Sequence, residues 1–125
     1  FDAPEAPALG GVRVADGWFS SADLPPVVAS RLVVLAACRT GRAPGAPGLA
    51  WGGLPAGLLG AGAHHVLWTT RDVNDSLTAD LMARFHASKA SEDPPRAFGH
   101  ALASSLDDAG HAGGLLDFRL SGIPR

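Results

Sequence analysis

The sequence predicts an α/β fold in which helices cover a parallel or mixed sheet. Three observations point there. Leu32-Val33-Val34-Leu35-Ala36 is an apolar run with no polar alternation, as expected of a strand covered on both faces. Strand-like and helix-like segments follow one another in the order β-α-β-α-α-β. Hydrophobic residues make up 46% of the 125 residues and charged residues 18%, which fits one small domain with a core and excludes a disordered chain.

Each element has its own signal. Residues 1–9 carry Pro4 and Pro7 and read as a loop. Val12, Val14 and Trp18-Phe19 flank Asp16-Gly17, a tight-turn dipeptide, and predict a hairpin. Ser21 to Leu24, followed by Pro25-Pro26, suggests a short helix through about Ser30, capped by Ser21 or Asp23. Leu32 to Ala36 is the strongest strand. Arg39 to Gly48 holds three Gly and two Pro and is a loop. Leu49, Leu54, Leu58 and Leu59 give a helical stripe that Gly60-Ala61-Gly62-Ala63 ends. His64 to Thr70 is a second strand.

Asp75-Ser76-Leu77-Thr78 opens a helix with apolar Leu77, Leu81, Met82 and Phe85 near helical spacing. After a loop over 91–95, a further helix is predicted from Arg96 to Asp108. Gly110 to Gly114 breaks it. Leu115 to Ser121 alternates Leu116, Phe118 and Leu120 with Asp117 and Arg119 as a half-buried strand.

Composition excludes several classes of function. A net charge of −2 gives no reason to expect nucleic acid or an anionic membrane as partner. A single cysteine excludes an intrachain disulfide and a thiolate zinc cluster, and fits a reducing, cytoplasmic setting. The longest apolar stretch, Leu49 to Leu67, is Gly-rich, contains Pro55 and ends beside His64-His65, so it is a poor membrane span. Gly41 to Gly53 lacks the Gly-Lys-Ser/Thr ending of a phosphate loop. No metal and no cofactor are expected.

The chemistry-bearing candidate is Cys38, where the apolar run Leu32 to Ala37 gives way to Arg39-Thr40-Gly41. In open α/β sheets reactive groups collect at the carboxyl ends of strands. A lone thiol there, with Arg39 and Arg42 near it, is a candidate nucleophile; a buried structural thiol is the competing reading. His64 and His65 open a strand predicted parallel to the Cys38 strand, which puts them at the opposite end of the sheet. His86 and His100 fall on helices and His111 in a loop, without metal-ligand spacing. Asp72 and Asp75 follow the second strand and reach the same end of the sheet as Cys38. They could receive a basic substrate side chain, while Asp75 is equally a helix N-cap.

The stretch Leu32-Val33-Val34-Leu35-Ala36-Ala37-Cys38-Arg39-Thr40-Gly41 resembles the cysteine motif L-V-V-L-S-A-C-x-T-G of the CHAT domain. That domain is a caspase-like, clan CD cysteine peptidase module found in bacteria beside tetratricopeptide repeats. Further landmarks follow in order: Val14-Ala15-Asp16-Gly17; Gly48-Leu49 through Gly60-Ala61-Gly62-Ala63; Asp75, Thr78, Leu81-Met82 and Phe85, similar to D-x-x-T-x-x-L-M-x-x-F; and Phe118 to Gly122, similar to F-x-L-x-G. The resemblance runs from about Leu9 to Gly122. It implies a caspase-like three-layer sandwich with a mostly parallel sheet, and a single partial domain, 1–125, incomplete at its N-terminus. It also implies a cysteine endopeptidase with Cys38 as nucleophile, acting on a polypeptide. Asp72 and Asp75 would then line a pocket for a basic residue before the scissile bond.

Three positions depart from the family pattern. The family's catalytic His lies in an H-G motif upstream of the cysteine, roughly 50 residues ahead in the caspase case, and none of the 37 residues before Cys38 is His. The base is therefore expected upstream of Phe1, and the isolated chain is expected to be inactive. Arg71 stands where the family usually has Trp, and Trp68 lies three residues earlier. Pro47 and a short loop replace a segment that often has Gly-Gly or Gly-Glu. The expected partners are the upstream part of the same protein, with tetratricopeptide repeats, and the polypeptide substrate. A non-catalytic caspase-like interaction or structural module is the alternative.

Overall fold

The computed structural model describes residues 11–40, 53–109 and 114–122. The expectations for residues 1–9, Arg42, Pro47, Leu49, the rest of the Gly-rich loop and His111 lie outside the described residues.

A two-residue turn at Ala15-Asp16 joins β1 (Gly11–Val14) to β2 (Gly17–Ser20), paired antiparallel with Val14 opposite Gly17. The predicted hairpin is present. The predicted helix over 21–30 is not: only Ser21–Asp23 turns, as a 3-10 helix, and Ser20 rather than Ser21 or Asp23 is its cap. The reason is local. Pro25 disfavours the helical region for the residue before it, and Leu24 is extended at φ −66°, ψ 139°. The chain then runs without regular structure to Arg31, tied by Val28 N–H to the Ala61 carbonyl at 2.7 Å.

The main sheet has three strands in the order β3-β4-β5. Strand β3 (Leu32–Val34) is shorter than the predicted Leu32 to Ala36, although Leu35 N–H still donates to the Leu67 carbonyl at 2.8 Å. It is parallel to β4 (His65–Thr69), with Leu32 opposite His65. Strand β5 (Phe118–Gly122) is antiparallel to β4, with Phe118 opposite Thr69. The described sheet is therefore mixed, with one parallel and one antiparallel pair, where a mostly parallel one was expected. The predicted strand from Leu115 starts late because Leu115–Asp117 forms a 3-10 turn first, entered through Gly114 at φ +82°.

Helix α1 (Gly53–Gly60) joins β3 to β4; helices α2 (Asp75–Ala87) and α3 (Pro94–Ala109) join β4 to β5. Helix α3 begins two residues before the predicted Arg96, because Pro94 suits the first turn of a helix and Asp93 Oδ1 accepts from Arg96 N–H. Helix α2 is capped by Asn74, which accepts from Leu77 N–H at 3.1 Å, and not by Asp75. The described helices are neither long nor apolar enough to cross a membrane.

Period-two alternation along the sheet sorts the core into two clusters. Val66 and Trp68 of β4 pack with Leu54, Leu58 and Ala63, covered further by Val12, Phe19 and Leu24. Leu67 of β4 packs with Leu81, Phe85, Ala97, Ala101 and Phe118 on the other face. Phe85 and Phe98 meet edge to face, with ring centroids 6.2 Å apart, and join α2 to α3. The sheet is thus covered by helices on both faces.

Helix α1 lies close against the Ser21–Asp23 turn. A Cβ built on Gly57 would come 2.9 Å from Ser21 Cβ and 3.0 Å from Leu24 Cδ1. Gly57→Ala should therefore lower the melting temperature, although Ala is about 1 kcal/mol better in a helix. Gly99→Ala, in α3 with nothing within 4 Å of the new methyl, should raise it by a few degrees, the worth of roughly 0.5–1 kcal/mol. Thermal melts of the two variants check the pair.

The same turn carries a pH-sensitive contact. Ser20 N–H and then Ser20 Oγ–H donate to Asp23, holding its carboxyl below the ordinary value of 3.8 against the opposing effect of desolvation. A carboxyl lowered by folding contributes above its unfolded pKa, and the contribution is lost as pH falls through the folded value. The Ser20 amide resonance should shift as pH drops below 3.8, and Asp23→Asn should flatten that titration.

Candidate active site at the carboxyl end of the sheet

Parallel pairing places the ends of β3 and β4 together. Antiparallel pairing brings the start of β5 to the same place. One end of the sheet therefore gathers Cys38 to Thr40, Thr70 to Val73, and Leu116-Asp117. His65 lies at the other end, opposite Leu32 and Gly122, and His64 precedes it. His86 is on α2 and His100 on α3. Among the described residues, no group of three or more His, Cys, Asp or Glu side chains is arranged to hold a metal ion.

Cys38 is exposed, not a buried structural thiol. Its Sγ lies 3.9 Å from the Val73 carbonyl oxygen, so the segment entering α2 passes directly beside the thiol. Arg39 has φ 56°, a left-handed conformation uncommon for a residue with a side chain. The turn is held by three contacts to β4 and the segment after it, and by one to its own strand segment. Thr69 Oγ1–H donates to the Ala37 carbonyl at 2.5 Å. Thr69 N–H donates to Thr40 Oγ1 at 3.0 Å. Thr40 Oγ1–H is in turn 3.2 Å from the Leu35 carbonyl. Arg39 N–H donates to the Arg71 carbonyl at 3.2 Å.

Thr69 and Thr40 are both buried, so each polar group here must find its partner inside the protein. Sequence reasoning assigned neither threonine a role. The available signal was two hydroxyl residues at the ends of two adjacent parallel strands, one of them inside the cysteine motif.

Asp72 and Arg39 meet: Arg39 Nη2 donates to Asp72 Oδ2 at 2.5 Å, with side chains 45% and 61% exposed. Together with Thr70 and Arg71 they line an open depression of about 440 Å³. Arg71 is 81% exposed, and its Nε lies 4.0 Å from Asp117 Oδ1. Asp75, the first residue of α2, is exposed and makes no ion pair or side-chain hydrogen bond among the described residues. Its competing role as cap belongs to Asn74. Trp68 is not part of this end's surface: it is buried beside α1 and its indole N–H donates to Ser121 Oγ at 3.0 Å. Trp68 therefore does not stand in for the Trp that Arg71 replaces.

Comparison with known families gives one result of substance. A family model described as the CHAT domain matches residues 6–111, which span the hairpin, the cysteine turn and all three described helices. No curated protein and no solved structure gives a match.

The clamp around the thiol makes a sharp prediction. Thr69→Val keeps the volume but leaves the Ala37 carbonyl and the Thr40 N–H without their Thr69 Oγ1 partner in a buried setting. It should cost about 1–3 kcal/mol of stability. It should also change the rate at which Cys38 is alkylated, because the turn that presents the thiol loses its anchor. Thermal melts and iodoacetamide kinetics, with Thr78→Val as a threonine control on α2, measure both.

Proposed function

The chain belongs to the CHAT domain family, and from that premise we propose that it forms the cysteine-bearing part of a caspase-like cysteine endopeptidase. The observation that carries this reading is the exposed Cys38 on a turn pinned at the carboxyl end of a sheet covered by helices on both faces. That layering also supports the caspase-like sandwich.

The mechanism follows from the residues. Cys38 Sγ, as thiolate, attacks the scissile carbonyl and forms an acyl-enzyme, which water then hydrolyses. The base that takes the thiol proton and returns it to the leaving amine is a His upstream of Phe1 in the same polypeptide. The Cys38 N–H would serve the developing oxyanion, because the Arg39 and Thr40 N–H groups are already bonded to Arg71 and Thr69. No metal or cofactor enters this chemistry. Exposure of the thiol and its position on a left-handed, hydrogen-bonded turn suit a nucleophile that must meet an extended substrate from outside.

Asp72 and Asp75 are two of the three acids described at this end of the sheet, beside Asp117, and they support cleavage after Arg or Lys. Asp75 is uncommitted, while Asp72 is engaged by Arg39. The test uses protein expressed from its full reading frame and assayed on peptides with Arg, Lys, Asp or Leu before the scissile bond. Cys38→Ala should abolish cleavage, and residues 1–125 alone should not turn over, since members of a nucleophile–base pair act as a unit. Asp75→Asn should depress cleavage after Arg and Lys with little change in melting temperature, because Asn74 caps α2. Cleavage that survives Cys38→Ala, or a wild-type preference for an acidic residue, would overturn the proposal.

A further inference from the structure

The Arg39–Asp72 pair bears on what this site accepts. Arg39 directly follows the thiol, and its guanidinium is on the very carboxylate that a basic substrate residue would use. Two features make the contact exchangeable. The side chains are 45% and 61% exposed, and ion pairs in that setting are worth little and are screened by salt. The Arg39 backbone, by contrast, is fixed: its N–H is bonded to the Arg71 carbonyl and its neighbours Ala37 and Thr40 are tied to β4. The guanidinium can leave Asp72 without the turn that carries Cys38 moving. The depression lined by Arg39, Thr70, Arg71 and Asp72 gives it room to do so.

We propose that Arg39 is a specificity-determining residue that occupies Asp72 in the free protein as an internal stand-in for a substrate's basic side chain. Asp72 becomes an acceptor for an incoming Arg or Lys only when Arg39 swings away. The consequence runs against intuition: removing a cation beside the thiol creates a basic-residue subsite, and Arg39, not Asp72 alone, sets how strongly that subsite discriminates. The inference rests on Cys38 as the reacting thiol of the proposed peptidase, but its test requires no hydrolysis.

Disulfide tethering provides that test on the chain itself, where Cys38 is the sole cysteine. Cys38 is loaded by thiol–disulfide exchange from an equimolar mixture of the disulfides of acetyl-Arg-Cys-amide and acetyl-Leu-Cys-amide, under a thiol buffer. The Cys38 thiolate forms one S–S bond and the displaced peptide leaves as its thiol, so electrons balance without an added oxidant. The ratio of arginine to leucine adducts is read by mass spectrometry. Arg39→Gln should raise this ratio about two- to fivefold, the span of an exposed ion pair. The rise should disappear in Arg39→Gln/Asp72→Asn and persist in Arg39→Gln/Asp75→Asn.

A second readout separates displacement from a general change in charge. In the wild-type arginine adduct, the Arg39 Nε–H resonance should move to its position in Asp72→Asn, while the leucine adduct leaves it in place. An unchanged adduct ratio in Arg39→Gln, a rise that survives loss of Asp72, or an Arg39 resonance indifferent to the arginine adduct each overturns the assignment. None of these outcomes depends on peptide cleavage, so failure here and failure of the peptidase reading are told apart.

Discussion

Strand β4 must satisfy two hydrogen-bonding neighbours and two covered faces at once, and the rest of the described structure is arranged around that demand. Four of its five residues are buried. Its backbone bonds to β3 on one side and β5 on the other. Its side chains divide strictly: Val66 and Trp68 into the α1 layer, Leu67 into the α2–α3 layer. A one-residue slip of register would exchange these sets and bury Trp68 against the wrong helices. Trp68 is further fixed by its indole bond to Ser121 of β5, so register and layer assignment are specified by the same residue.

Thr69 extends that logic to the end of the strand, where packing gives way to polar contacts. A fourth apolar residue there would close the core but leave the Ala37 carbonyl and the Thr40 N–H without their hydroxyl partner. Threonine keeps the β-branched shape that suits a strand and supplies a donor and an acceptor in a place water does not reach. The turn bearing Cys38 is thereby anchored to the most constrained of the described strands rather than to a loop. Precise placement of a reacting group is easiest where its support comes from regular structure, and this end of the sheet has that form.

The parts of the fold that could be read from the sequence are those where one strong local signal acted alone. The apolar run before Cys38, the Asp-Gly hairpin and the stripe of Leu81 and Phe85 each describe an element whose neighbours merely confirm it. The misread elements are those where two signals compete. Ser21 and Asp23 are good helix starters, yet the prolines immediately after them stop the helix within one turn, and the polar side chains cap a 3-10 turn instead. Asp75 reads as a cap, but Asn74 immediately before it caps equally well by type and takes the role. Leu116, Phe118 and Leu120 alternate with Asp117 and Arg119 as a strand would, but Gly114 turns the chain so that Leu115–Asp117 coil first. For the site, Cys38 and both acids were visible as residues. Their relations were not, because the Arg39–Asp72 pair and the Thr40–Thr69 clamp join positions 33 and 29 residues apart and exist only once β3 and β4 lie side by side.

Those two long-range contacts differ in kind, and the difference is what makes the site workable. The threonine clamp is buried, made to backbone groups, and costly to break, since every atom freed would be left unsatisfied. The arginine–aspartate pair is exposed, made between side chains, and cheap to break, since water and salt replace each partner. On the proposed reading as a peptidase, the thiol has to stay still while one polypeptide is exchanged for another at the adjoining surface. Rigid hydroxyl-to-backbone bonds under the thiol and a solvent-shared ion pair beside it divide those tasks between two structures one residue apart. Reversing the arrangement, with a buried ion pair below and exposed hydroxyls above, would charge the full desolvation of two ions to folding and leave the surface without a charge that a substrate could compete for.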